Sequence, residues 1–213
     1  MKEIKLVYGW GENDYPVGYE VKDCPFYRKW HSMVRRCHSR NSQKTHPCYK
    51  GVTICEEWKS FWAFKRWMEK KDWEGKHLDK DILIPGNKEY SPDACLFVRN
   101  LINTLKLIDP RKYLDDHPYP QGVYLSERKT MPNVYRAGIK IDGKQEWLGT
   151  FPFPTAEAAS SAYCKKKSEY LRELAEKQEP KETILKASLV MWADIYELEV
   201  VYLRDNKRWK KKD

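Results

Sequence analysis

The dipeptide Asp142-Gly143 is the feature that most constrains the fold of this 213-residue chain. Asp-Gly between two strand-like segments is the strongest short signal for a tight β-hairpin. Residues 134–141 alternate and place one set of apolar side chains on a single face, at Tyr135, Ala137, Ile139 and Ile141. Residues 144–151 supply the returning strand and 123–126 a further strand, and Thr155 begins an Ala-rich helix to about residue 178. The second half therefore predicts a small α+β module with a three-stranded antiparallel sheet and one helix.

Residues 119–178 resemble the APETALA-type (ethylene-response-factor) DNA-binding domain. The likeness rests on Gly122-Val123, on the strand at 135–141, on the run WLGTF at 147–151, and on the Ala-rich helix with AA at 158–159 and AY at 162–163. In that family the sheet lies in the major groove of double-stranded DNA and the helix packs behind it. A β-ribbon fits that groove, so the resemblance is physically reasonable.

The resemblance implies a set of DNA-binding side chains on one face of the sheet and in its first turn. Gln145 and Tyr124 stand where plant members carry Arg, so the plant target sequence is not carried over. The implied positions are Tyr124, Ser126, Arg128, Lys129, Arg136, Lys140, Gln145 and Trp147.

A second constraint lies in residues 78–103, LDKDILIPGNKEYSPDACLFVRNLIN. Asp79 and Asp81 flank Lys80, and Pro-Gly-Asn at 85–87 predicts a chain reversal. Ser-Pro-Asp at 91–93 predicts a helix start, followed by an apolar helix face and Asn103. Spacing alone favours the interpretation that the two aspartates are solvated turn acids and that Asn103 is a helix-surface residue.

This stretch resembles the HNH (ββα-metal) nuclease motif, more closely its phage-encoded, homing-type members. The resemblance implies that Asp79 and Asn103 hold Mg²⁺ or Mn²⁺. Lys80 stands where the family has its general-base His, and Ala94 stands where it has a loop Asn. A histidine titrates near neutrality and is the usual base. Its replacement leaves four options open: Lys80 assists catalysis, His77 assists it, a metal-bound hydroxide acts without a protein base, or catalysis is lost and Lys80 only binds a phosphate.

Composition limits the classes of partner and compartment. The formal net charge of +9 suits a polyanionic partner such as DNA. No long apolar run predicts a membrane span, and the first residues lack the apolar core of a signal peptide, so a cytoplasmic location is expected. The resemblance to phage-encoded proteins implies the cytoplasm of an infected bacterial host. Six scattered cysteines without a CxxC make zinc an unexpected cofactor. The Lys/Arg-rich end is either a solvated tail or an arm that contacts phosphate.

These observations predict an α+β chain with an HNH-like nuclease domain at 1–108 and a linker at 109–118. An APETALA-type DNA-binding domain follows at 119–178, then a C-terminal helix and basic tail at 179–213. The favoured function is metal-dependent phosphodiester hydrolysis of double-stranded DNA. The alternative is a catalytically inactive DNA-binding regulator or anti-defence protein on the same fold.

Overall fold

The structure is a computed structural model that describes residues 5–107, 119–126 and 134–206. The chain divides into two compact units, Met1–Leu105 and Lys106–Asp213. Both mix helices with small sheets, which confirms the α+β prediction at the level of fold class. Within the described part of the chain, no helix is both long enough and apolar enough to cross a membrane.

The first unit has its core between two amphipathic helices, α1 (Pro25–His38) and α3 (Phe61–Met68). Apolar residues at helical spacing predict both helices, and their buried faces meet in an aromatic cluster. The Trp30 indole N–H donates to the carbonyl of Trp58 at 2.8 Å, which satisfies a polar group deep in that cluster. The aromatic side chains of α3 thus serve mainly as core, as expected for such a stripe.

Short elements connect these helices. Strands β1 (Leu6–Val7) and β2 (Gly11–Glu12) form a small antiparallel pair before α1. Helix α2 (Arg40–Thr45) and a 3-10 turn (Pro47–Tyr49) follow α1, and a second 3-10 turn (Glu56–Lys59) precedes α3. Strand β3 (Thr53–Ile54) runs parallel to β5 (Glu89–Tyr90).

The stretch of residues 78–103 folds as three short strands, one of them β5, and a short helix. Strand β4 (His77–Asp79) pairs antiparallel with β6 (Leu96–Val98), and α4 (Asn100–Asn103) follows directly. The prediction of a helix from Ser91 onwards was wrong. The Ser91 carbonyl accepts hydrogen bonds from the N–H groups of Ala94 and Cys95, which form a single turn. Residues 96–98 are then extended because they pair with β4 through backbone hydrogen bonds.

The second unit contains the three-stranded sheet in the order β7 (Val123–Leu125), β8 (Tyr135–Ile141), β9 (Lys144–Phe153). The hairpin at Asp142-Gly143 is confirmed, because Ile141 pairs with Lys144 and both turn residues have positive φ. Helix α5 (Ala156–Glu176) begins at Thr155, whose hydroxyl accepts from the Ala158 N–H at 3.2 Å. It packs on the sheet through buried Ala159 and Tyr163.

Helix α6 (Thr183–Asn206) packs along α5 within the second unit. Ring contact between Tyr163 and Tyr196 and ion pairs from Arg172 to Asp194 and Glu197 join the two helices. Residues 200–202, for which the sequence left helix and strand open, are helical. The segment predicted as a separate C-terminal helix therefore shares its core with α5.

Candidate functional site

A cavity of about 520 Å³ in the first unit lies between α1, β4 and the turn after β4. We call it the α1–β4 cavity. Four of the residues singled out in the sequence line it, although they come from β4, the following turn and α4. They are His77, Asp79, Lys80 and Asn103.

Asp79 is fixed by the turn that it begins. Its Oδ1 accepts backbone N–H bonds from Asp81 and Ile82, both at 2.8 Å. Burial raises the pKa of the Asp79 carboxyl, and these two hydrogen bonds oppose that rise because they favour the charged form. The side chain is thus held in one orientation at the wall of the cavity.

Lys80 is buried, with only 6% of its surface exposed. Its ammonium lies 2.5 Å from an Asp81 carboxylate oxygen and donates to the Asn87 carbonyl at 3.3 Å. Both contacts are made to groups of the same turn, so the ammonium is engaged within the turn. This arrangement gives Lys80 a structural role in the turn that the sequence did not indicate.

The asparagine of the predicted turn has a role that the sequence analysis missed. The Asn87 amide donates to the carbonyls of Lys80 and Glu89 at 2.7 and 2.6 Å, and its oxygen accepts from the Glu89 N–H at 3.1 Å. These three bonds close the turn over 80–89. The sequence signal for this role is the Asn that directly follows Pro-Gly, because Asn side chains in turns often form hydrogen bonds with nearby backbone groups. Ala94, the position of the family's loop Asn, is buried and has no polar side chain.

The side chains of the cavity fit a magnesium site with few protein ligands better than a site in which the protein supplies every ligand. Asp79 and Asn103 offer one carboxylate and one amide to the cavity, and His77 is exposed beside them. Across the described residues, no group of three or more His, Cys, Asp or Glu side chains could hold a metal ion. Mg²⁺ commonly uses one or two protein ligands and completes its coordination shell with water and substrate phosphate. Asp79 and Asn103 match this kind of site.

The second candidate site is the face of the β7-β8-β9 sheet opposite α5, which we call the outer sheet face. Residues directly opposite each other on paired antiparallel strands share a face. The register pairs Tyr124 with Arg136, Gly138 with Trp147, and Lys140 with Gln145. The alternate positions Ala137 and Ile139 are buried on the other side. Five of the predicted DNA-binding side chains therefore lie together.

Trp147 is the centre of this face. Half of its surface is exposed, and it lies over Gly138, where an added Cβ would come within 3.0 Å of the indole ring. The Arg136 guanidinium stacks 3.7 Å from the ring centroid, and the Tyr124 ring meets the indole edge-on at 5.5 Å. The result is an exposed, cationic aromatic patch.

Three of the predicted DNA-binding side chains, Ser126, Arg128 and Lys129, are not among these five. Ser126 is buried, with 7% of its surface exposed, because its strand ends there and its N–H bonds to the Val134 carbonyl at 2.8 Å. Ser126 is thus far less exposed than Tyr124, and its role in DNA binding stays a prediction. Arg128 and Lys129 lie outside the described residues, as does the basic run after Asn206.

Comparison of the chain with protein-family models, with curated proteins and with solved structures found no match.

Proposed function

We propose that the chain binds double-stranded DNA through the outer sheet face. The observation that carries the proposal is the shared register of Arg136, Lys140, Gln145 and Trp147 beside Tyr124. A guanidinium and an ammonium bind phosphate or guanine, and a glutamine amide pairs with adenine in the major groove. Strands of a β-sheet can enter that groove, and the net charge of +9 favours association with DNA.

The test compares Trp147→Ala with Leu125→Ala in the full chain. The two side chains are similarly exposed, at 50% and 40%. Leu125 follows Tyr124 on β7 and therefore lies on the opposite face of the sheet from Trp147. Trp147→Ala should weaken binding to a mixed-sequence duplex at least about tenfold, since base or sugar contact with an aromatic ring is lost. Leu125→Ala should bind as the unsubstituted chain does.

Fluorescence anisotropy at several salt concentrations measures both effects. Circular dichroism shows whether each variant keeps its fold. If Trp147→Ala is folded and binds duplex DNA as tightly as Leu125→Ala, the outer sheet face is not the DNA-binding surface.

A second candidate function is metal-dependent cleavage of the bound DNA by the first unit, as in a phage HNH-like endonuclease. It is favoured by the β4–β6–α4 arrangement, which brings Asp79, Asn103 and His77 to one cavity. Asp79 and Asn103 would hold Mg²⁺ or Mn²⁺, which supplies charge stabilisation at phosphate. His77 is then the side chain placed to accept a proton from the attacking water. Without cleavage, the same chain is a DNA-binding regulator or anti-defence protein.

The cleavage candidate is tested on supercoiled plasmid with Mg²⁺ or Mn²⁺, and with EDTA as the control. Asp79→Ala should abolish nicking while duplex affinity stays near that of the unsubstituted chain, because a metal ligand acts on the reaction rather than on the outer sheet face. Asp93→Ala is the matched control, since Asp93 is exposed in the same stretch and does not line the cavity. No cleavage by the unsubstituted chain with either metal leaves DNA binding as the function.

A further inference from the structure

One wall of the α1–β4 cavity is cationic and comes from a single helix. Arg28, Lys29, Ser32 and Arg36 recur at helical spacing along α1, and all four line the cavity. The other face of α1 carries Trp30, Met33, Val34 and Cys37 into the core. The helix therefore cannot rotate without exposing those core residues, and its polar face is held towards β4.

Arg36 is held in one orientation by neutral groups. One guanidinium nitrogen donates to the Tyr90 hydroxyl at 3.0 Å and the other to the Ser32 hydroxyl at 3.4 Å. The guanidinium also lies near the Tyr49 and Tyr90 rings, 5.6 and 5.9 Å from their centroids. A guanidinium has five donors in a rigid fork, so a positioned one is prepared for a bidentate anion.

Lys29 is placed beside it with its stem buried. Its ammonium donates to the Lys76 carbonyl at the edge of β4. Burial and the neighbouring Arg36 charge lower the pKa of Lys29, which means that two cations are kept close at an energetic cost. An anion bound between them would relieve that repulsion.

The acidic groups of the cavity do not neutralise this wall. Asp81 pairs with Lys80 at 2.5 Å, and Asp79 accepts from backbone N–H groups. Among the residues that the structure describes, Arg28, Lys29 and Arg36 form no ion pair with a carboxylate. Oriented cations in a concave site without an acidic partner are suited to an anion with several oxygens.

We propose that the α1 wall of this cavity is a phosphate-binding subsite, formed by Arg36, Lys29 and Arg28, that binds a phosphate group of a nucleic acid without requiring a metal ion. It lies in the same cavity as Asp79 and Asn103, so it would hold a backbone phosphate beside the candidate metal ligands. The subsite rests on the proposed function in one respect, namely that the phosphate belongs to DNA.

The experiment titrates the full chain by calorimetry in EDTA with three probes: inorganic phosphate, thymidine 3′,5′-bisphosphate and thymidine. The two phosphate compounds should bind, the nucleotide more tightly, and thymidine should not. Arg36→Met should weaken the binding of the nucleotide at least about tenfold, because a charge-assisted bidentate contact is lost. Arg35→Met is the matched control, since Arg35 is the adjacent residue of α1, is exposed and does not line the cavity.

Arg28→Ala keeps the test decisive if Arg36→Met does not fold. Arg28 is exposed, so its substitution should weaken nucleotide binding severalfold without loss of structure. Equal affinities for Arg35→Met and both cavity variants, or equal binding of thymidine, would overturn the subsite. Binding of inorganic phosphate but not of the nucleotide would overturn its assignment to nucleic acid. The Trp147→Ala result with duplex DNA is independent of these outcomes, so failure of either proposal can be recognised separately.

Discussion

At the scale of single residues, the contacts of Lys80 in the turn after β4 determine the role of its charge. Lys80 was predicted from the sequence to assist catalysis or to bind a phosphate. In the structure its ammonium is enclosed by Asp81, the Asn87 carbonyl and the Tyr90 ring, whose centroid is 5.8 Å away. The lysine thus connects the two ends of the turn.

This role predicts an asymmetry between two substitutions. Asp81→Ala should lower the free energy of unfolding by about 1–3 kcal/mol, because it leaves a buried ammonium without its carboxylate. Lys80→Met should cost less, since it replaces the buried ammonium with an apolar group of similar volume and leaves half-exposed Asp81 to water. Urea denaturation measures both values. A larger loss for Lys80→Met than for Asp81→Ala would show that the lysine contributes in another way.

At the scale of elements, the sheet and α5 of the second unit are brought together by a close contact at Gly122. Gly122 has φ +77°, and a Cβ there would meet the buried Tyr163 ring at 2.1 Å. On the hairpin side, the Tyr170 hydroxyl of α5 donates to the Asp142 carboxylate at 2.9 Å. Two separate points, one before β7 and one at the β8–β9 hairpin, therefore fix the sheet on the helix, and with it the direction of the outer sheet face.

A matched pair of glycine substitutions separates the energetic cost of the contact at Gly122 from the cost of backbone strain. Gly143 has φ +79°, and a Cβ added there would meet no atom within 4 Å, so Gly143→Ala should cost only the strain of a left-handed residue, about 1–2 kcal/mol. Gly122→Ala should cost clearly more, because the ring of Tyr163 must move from the core. Thermal unfolding of the two variants provides the comparison. Equal losses would mean that α5 shifts freely and that the contact does not fix the sheet.

At the scale of the whole molecule, each unit contains its own buried core, and α6 completes the second one. Leu189, Trp192 and Tyr196 of α6 are at most 1% exposed. The family resemblance ended near residue 178, but the unit continues through α6. A fragment ending at 180 would lose this cover, so DNA-binding experiments are better made with the full chain.

Two substitutions in α6 test this division. Trp192→Ala should destabilise the second unit by about 3–5 kcal/mol through cavity formation. Leu198→Ala, at a position 69% exposed, should change stability by less than about 0.5 kcal/mol. Hydrogen exchange should show lost protection in α5 and β8 of Trp192→Ala and unchanged protection in α1 and α3. Equal loss of protection in both units would contradict two separate cores.

The sequence by itself determined the features that depend on near neighbours. Asp142-Gly143 specified the hairpin, period-2 alternation specified the two faces of β8, helical spacing specified α1 and α3, and Thr155 before an Ala-rich run specified the start of α5. These signals are local because turn chemistry and periodicity act within a few residues. The alternation put Arg136 and Lys140 on one face, whereas the full set of candidate DNA-binding side chains was implied by the resemblance to the APETALA-type domain.

Only the tertiary structure decided the features that depend on distant partners. Residues 96–98 are a strand because β4, nearly twenty residues earlier, pairs with them. Ser126 is buried, Lys80 is an enclosed cation, and Arg36 meets Asp79 across one cavity, although none of these follows from local spacing. Burial and charge pairing are set by residues that approach only when the chain folds, so the sequence named the candidate side chains and the fold determined their surroundings.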